Sequence, residues 1–128
     1  AAKVLAGEAP TLLVHDQALA ATQQYPPGVA LAGIAAGSSG LSLEAVVGAL
    51  TARHCNEILV ESGPRLAGAL LQAGLLDALV VYMAPALLGS RARPLLELPL
   101  DHMADKVSLE ITDARRVGQD WRFTATPA

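Results

Sequence analysis

Glu61-Ser62-Gly63-Pro64 is the segment whose residue types and order bear most directly on chemistry. It follows the apolar run Ile58-Leu59-Val60 and precedes Leu66, Ala67, Leu70 and Leu71, which recur at helical spacing. A strand running straight into a helix is expected, with Pro64 at the first helical position, where a missing N–H costs nothing. A helix N-terminus exposes unpaired N–H groups and a partial positive charge, which together form an anion site. Gly63 lets a ligand approach the backbone, and Gly68 permits a close approach either to the sheet or to a ligand. In an open α/β sheet, ligands gather at the carboxyl ends of the strands, which is where residues 61–64 would lie. Glu61 ends the apolar run; its carboxylate can accept from a polar ligand, pair with an arginine or face solvent, and is costly to bury alone. The pattern is neither the Gly-x-Gly-x-x-Gly fingerprint nor a P-loop. A tight turn opening a proline-started helix accounts for it equally well.

Other reactive side chains form no constellation. His15, His54 and His102 lie far apart without metal-ligand spacing. Glu97, Asp101 and Asp105 make no tight cluster for a divalent ion. Ser38, Ser39 and Ser62 lack a Gly-x-Ser-x-Gly context. Cys55, beside Arg53 and His54, reads as a packed thiol. No metal site and no catalytic side chain is assigned.

The elements that must position the 61–64 turn follow from pattern. Thr11–His15 and Val29–Ala35 read as buried strands, the second weakened by Gly33. Residues 16–28 and Gly37-Ser38-Ser39-Gly40 read as a loop and a turn. Ser42 suits an N-cap, Glu44 complements the helix dipole, and Leu43, Val46, Val47 and Leu50 form an apolar face through about Arg53. After the Pro64 helix, Gly74 is expected as a left-handed stop, and Leu79–Met83 as a strand. Residues 87–105 carry Gly89, Pro94 and Pro99 and read mostly as loop. Val107–Thr112 and Trp121–Ala125 alternate apolar and polar residues around a Val117–Asp120 turn, which predicts an antiparallel pair. The expected fold is α/β: a mainly parallel sheet flanked by helices, closed by an antiparallel C-terminal strand pair.

Composition bounds the function. A chain of 128 residues suits one domain, and 52% hydrophobic residues supply a core. A net charge of −3, 3% aromatic residues and no basic stripe argue against a nucleic-acid partner. One cysteine fits a reducing, cytoplasmic compartment. The apolar stretch 66–89 is interrupted by Gln72, Gly74, Asp77 and Pro85, so no membrane span is expected.

The run Ile58-Leu-Val-Glu-Ser-Gly-Pro-Arg-Leu-Ala-Gly-Ala-Leu-Leu-Gln-Ala-Gly-Leu-Leu-Asp77 resembles the reductase domain of the bifunctional riboflavin-biosynthesis deaminase/reductase family, which carries Val-Glu-(Ala/Gly)-Gly-Pro-x-Leu there. The likeness continues through Tyr82-Met-Ala-Pro-Ala-Leu-Leu-Gly-Ser90 and, more loosely, through Arg116–Asp120. It implies a dihydrofolate-reductase-like fold and NADPH as hydride donor. The implied substrate is a phosphorylated pyrimidine, 5-amino-6-(5-phosphoribosylamino)uracil, whose ring-opened ribose is reduced to a ribityl chain. It further implies substrate contact by Glu61 and cofactor contact by Gly63, Pro64, Arg65, Leu66, Ala67, Gly68 and Ala69. A homo-oligomer is implied too, with the apolar Leu79–Leu88 segment at the interface. Ala86 stands where the family often has lysine, a charge that Arg91 or Arg93 would have to supply if they are more than a solvated loop. The family's reductase domain also begins before residue 1, so residues 1–128 are expected to be the C-terminal portion of a longer single domain. The alternatives are a catalytically incomplete fragment or oligomerisation module of this fold, and a related reductase acting on another pyrimidine or pterin.

Overall fold

The computed structural model describes residues 3–6, 9–19, 25–37 and 40–128. The chain forms two compact units, residues 1–58 and 59–128. The expected loop at Gln23-Gln24 and the Ser38-Ser39 turn lie outside the described residues.

In the first unit, β1 (Thr11–Asp16) pairs in parallel with β2 (Val29–Ile34), Thr11 opposite Val29 and Asp16 opposite Ile34. Every residue of β1 is half-buried, as a run without alternation should be. Two short strands, β3 (Ala36–Gly37) and β4 (Gly40–Leu41), pair antiparallel and lead into helix α1 (Leu43–Thr51). The Ser42 hydroxyl accepts from the Ala45 N–H at 3.2 Å, and the same hydroxyl donates to the Glu44 carboxylate at 3.0 Å. A hydrogen bond from its own backbone N–H, then the Ser42 hydroxyl, holds the Glu44 carboxyl below its ordinary range. Leu43, Val46, Val47 and Leu50 form the expected inward face. At the other end the Arg53 guanidinium donates to the Ala49 carbonyl at 2.7 Å, where a cation suits the helix dipole.

In the second unit, helix α2 (Pro64–Gln72) opens on Gly63 and stops at Gly74, whose φ of 66° is the expected left-handed cap. Strand β5 (Leu79–Met83) pairs antiparallel with β7 (Asp120–Pro127), and β7 pairs antiparallel with β6 (Leu109–Val117), giving the order β5-β7-β6. The β6–β7 hairpin turns through Gly118-Gln119, with Gly118 at φ 64°, a backbone that glycine adopts without a Cβ clash. A bulge between Ile111 and Asp113 shifts the register, and the Thr112 hydroxyl donates to the Thr124 carbonyl at 3.2 Å. Trp121 and Phe123 stack along one face of β7, ring centroids 6.1 Å apart. Leu70 and Ala125 are the deeply buried hydrophobic residues among those described.

Four expectations need correction. Ile58-Leu59-Val60 is not a strand and is exposed, Leu59 by 83%. A strand needs a ladder partner, and none among the described residues pairs with it. Among the described residues parallel pairing joins β1 and β2, and the antiparallel C-terminal pair widens to three strands by taking in β5. β6 begins two residues later than expected and is mostly exposed on both faces. Cys55 is exposed, because the chain from Thr51 to Gly63 follows the surface.

Candidate functional site at the start of helix α2

Glu61 and Ser62 lie exposed on chain without regular secondary structure, not in the expected tight turn, and Pro64 sets the helix going. Gly63 is the N-cap, with φ −78° and ψ 171°, and no side chain caps it. A Cβ added at Gly63 would meet nothing within 4 Å. The first-turn N–H groups of Arg65 and Leu66 thus face an open approach without a competing side-chain acceptor. That donor set suits an anionic group.

The predicted residues divide by what surrounds them. Glu61, Ser62, Gly63, Arg65 and Leu66 are exposed; Pro64, Ala67 and Ala69 are half-buried; Gly68 is buried. Gly68 approaches neither the sheet nor open space: a Cβ there would lie 2.0 Å from the Glu97 carbonyl oxygen. The Glu97 N–H donates to the Pro64 carbonyl at 3.0 Å. Arg65 Nε lies 4.0 Å from Glu97 Oε2. Glu97 lies in the expected loop and nevertheless belongs to the surroundings of the site. The signal that pointed to such a neighbour was Gly68, a glycine inside a helix with no local reason to be one.

The remaining candidates do not join this cluster. Arg91 and Arg93 are exposed on the loop, and Ala86 is exposed as well. The His15 ring nitrogen Nδ1 hydrogen-bonds the Asp16 carbonyl at 2.9 Å. The Asp105 carboxylate accepts from the His102 N–H at 3.2 Å, closing the short 3-10 turn Met103–Asp105. No group of three metal-ligating side chains converges among the described residues. A concavity of about 230 Å³ in the first unit, lined by Leu5, Pro10, Pro27 and Val29 among others, holds no titratable side chain. No helix among the described residues is long and apolar enough to cross a membrane.

Comparison with known proteins bears on the whole of this arrangement. Residues 1–123 match the model of the family described as the RibD C-terminal domain. The riboflavin biosynthesis protein RibD of Escherichia coli is 51% identical over 81 residues, 62% of this chain and 22% of that protein. The 5-amino-6-(5-phosphoribosylamino)uracil reductase of Buchnera aphidicola (from Acyrthosiphon pisum) is 32% identical over 73 residues, 56% of this chain and 35% of that protein. Among solved structures, Acinetobacter baumannii RibD superposes with a TM-score of 0.70 at 29% identity, covering 79% of this chain and 27% of that one. The chain thus spans about a fifth to a third of the length of these relatives.

Proposed function

The chain belongs to the RibD C-terminal domain family, with the α/β, dihydrofolate-reductase-like fold of its solved relatives, and from that premise we propose that it is an NADPH-dependent pyrimidine reductase. Its substrate is 5-amino-6-(5-phosphoribosylamino)uracil, whose ribosyl group it reduces to the ribityl product in riboflavin biosynthesis. The observation that carries this reading is the uncapped first turn of α2, which lies within the family match and carries the donor set an anionic cofactor requires. NADPH, when bound, supplies the hydride; the protein's part is to bind and orient. The contact residues are Gly63 through Ala69. Gly63 and the Arg65 and Leu66 N–H groups face the phosphate directly, while Gly68 and Ala69 seat the helix. Glu61, exposed just before the cap, accepts hydrogen bonds from the polar substrate. The match runs across both units, which supports reading residues 1–128 as part of one domain.

The test is a calorimetric NADPH titration of the 128-residue chain, followed by NADPH oxidation in the presence of the substrate. Saturable binding and substrate-dependent oxidation are expected. A folded chain that binds no NADPH would overturn the reading in favour of a catalytically silent module. Binding with turnover only on another pyrimidine or a pterin would shift the substrate assignment.

We further propose a cytoplasmic homodimer. β5 lies at the end of the described sheet order, so one of its edges keeps backbone groups open to pairing. Within β5 Tyr82 and Met83 are exposed, and beyond it Leu88 is exposed by 81% and Leu87 fully. Exposed apolar residues gathered in one short segment mark an association surface, and a second copy would cover them. Light scattering coupled to size exclusion is expected to give the dimer mass; a monomer at every concentration would dismiss the proposal.

A further inference from the structure

Glu97 sits on chain without regular secondary structure, yet it meets α2 at three points. Its N–H donates to the Pro64 carbonyl at 3.0 Å, its own carbonyl packs over Gly68, and its carboxylate stands 4.0 Å from Arg65 Nε. The two backbone contacts fix where residue 97 lies, so its carboxylate is delivered to the first turn of α2. Arg65, the second residue of that helix, is 89% exposed and has Glu97, itself 52% exposed, as its ion-pair partner among the described residues.

We propose that Glu97 is a positioning residue acting through Arg65: it parks the guanidinium beside the first turn of α2 in the free chain, and a phosphate group of the cofactor takes the guanidinium over on binding. The inference rests on the reading that this turn receives NADPH. A guanidinium presents a planar fork of donors suited to carboxylate and phosphate alike, so the two compete for it. The pair is solvent-exposed, hence weak and screened by salt. A partner of that strength yields to a phosphate, which carries more charge and gains from the helix dipole.

Glu97→Gln keeps the backbone contacts and the side-chain shape while removing the competing charge. The experiment is NADPH titration by calorimetry at two ionic strengths on the full chain, on E97Q, on R65M and on the double variant. E97Q is expected to tighten binding by about threefold, the scale of an exposed ion pair. R65M is expected to weaken it by about tenfold, as for a lost charge-assisted hydrogen bond, and to flatten the salt dependence. In the R65M background, E97Q should change nothing. An E97Q effect that persists without Arg65, or no E97Q effect at all, overturns the inference while leaving the reductase reading intact. Absence of NADPH binding by the folded wild-type chain overturns both.

Discussion

Gly68→Ala is expected to destabilise the second unit by about 2 kcal/mol, whereas the same substitution at Gly48 is expected to stabilise α1 by about 1 kcal/mol. Both glycines lie inside helices, and intrinsic propensity favours alanine at each by about 1 kcal/mol. At Gly48 a Cβ meets nothing within 4 Å, so propensity decides. At Gly68 a Cβ lies 2.0 Å from the Glu97 carbonyl oxygen, 3.0 Å from its carbon and 3.3 Å from its nitrogen. These are backbone atoms, which cannot rotate aside as a side chain would. The segment must lift from the helix, and the Glu97-to-Pro64 hydrogen bond goes with it. Over-packing of this kind costs about 1–3 kcal/mol, and a lost hydrogen bond about 1 kcal/mol, against the gain in propensity. Denaturation followed by Trp121 fluorescence reads the second unit, and helical circular dichroism reads α1 and α2 together. Midpoints that move in the same direction for both variants would disprove the packing role of Gly68.

Gly63→Asp should cut NADPH affinity at least tenfold, about 1.4 kcal/mol, without lowering stability. Aspartate is among the best N-cap residues, and replacing a glycine cap with it alters helix stability by only a few tenths of a kcal/mol. Space is available, since nothing lies within 4 Å of the added Cβ. The introduced carboxylate would occupy the first-turn N–H groups and repel a phosphate at close range. Gly63→Asn caps in the same way without the charge and should lose less. Calorimetric titration of the three proteins, with thermal melts alongside, separates a binding effect from a folding one. Unchanged NADPH binding by the aspartate variant would move the cofactor's phosphate away from α2.

The elements legible in the sequence are those whose cause is local. Pro64 and Gly74 bound α2 because one lacks an N–H and the other accepts a left-handed backbone, and both facts hold wherever the helix sits. Ser42 caps α1 through a hydroxyl three residues from the N–H it receives. The β6–β7 hairpin follows from alternation broken by Gly118. The Val-Glu-Ser-Gly-Pro segment, by resemblance, pointed to the family that residues 1–123 match.

What the sequence leaves open depends on residues distant in the chain. Ile58-Leu59-Val60 has every compositional mark of a strand, but hydrogen bonds to a neighbour make a strand, and no described segment pairs with it. The composition of Leu79–Met83 predicts the strand that β5 is, yet nothing in it says that its partner is β7, running antiparallel. Leu66 has helical spacing but is exposed, because the inward face of α2 is set by where Gly68 and Leu70 are covered.

The sequence by itself determined the helix starts, the stop at Gly74 and the closing hairpin, since each rests on the covalent limits of proline and glycine or on hydrogen bonds within a turn. Only the tertiary structure decided that Glu97 locks onto Pro64 and Gly68, that β7 stands between β5 and β6, and that residues 58–60 lie exposed. Pairing and burial are properties of two segments at once, and neither segment carries the identity of the other in its own residues.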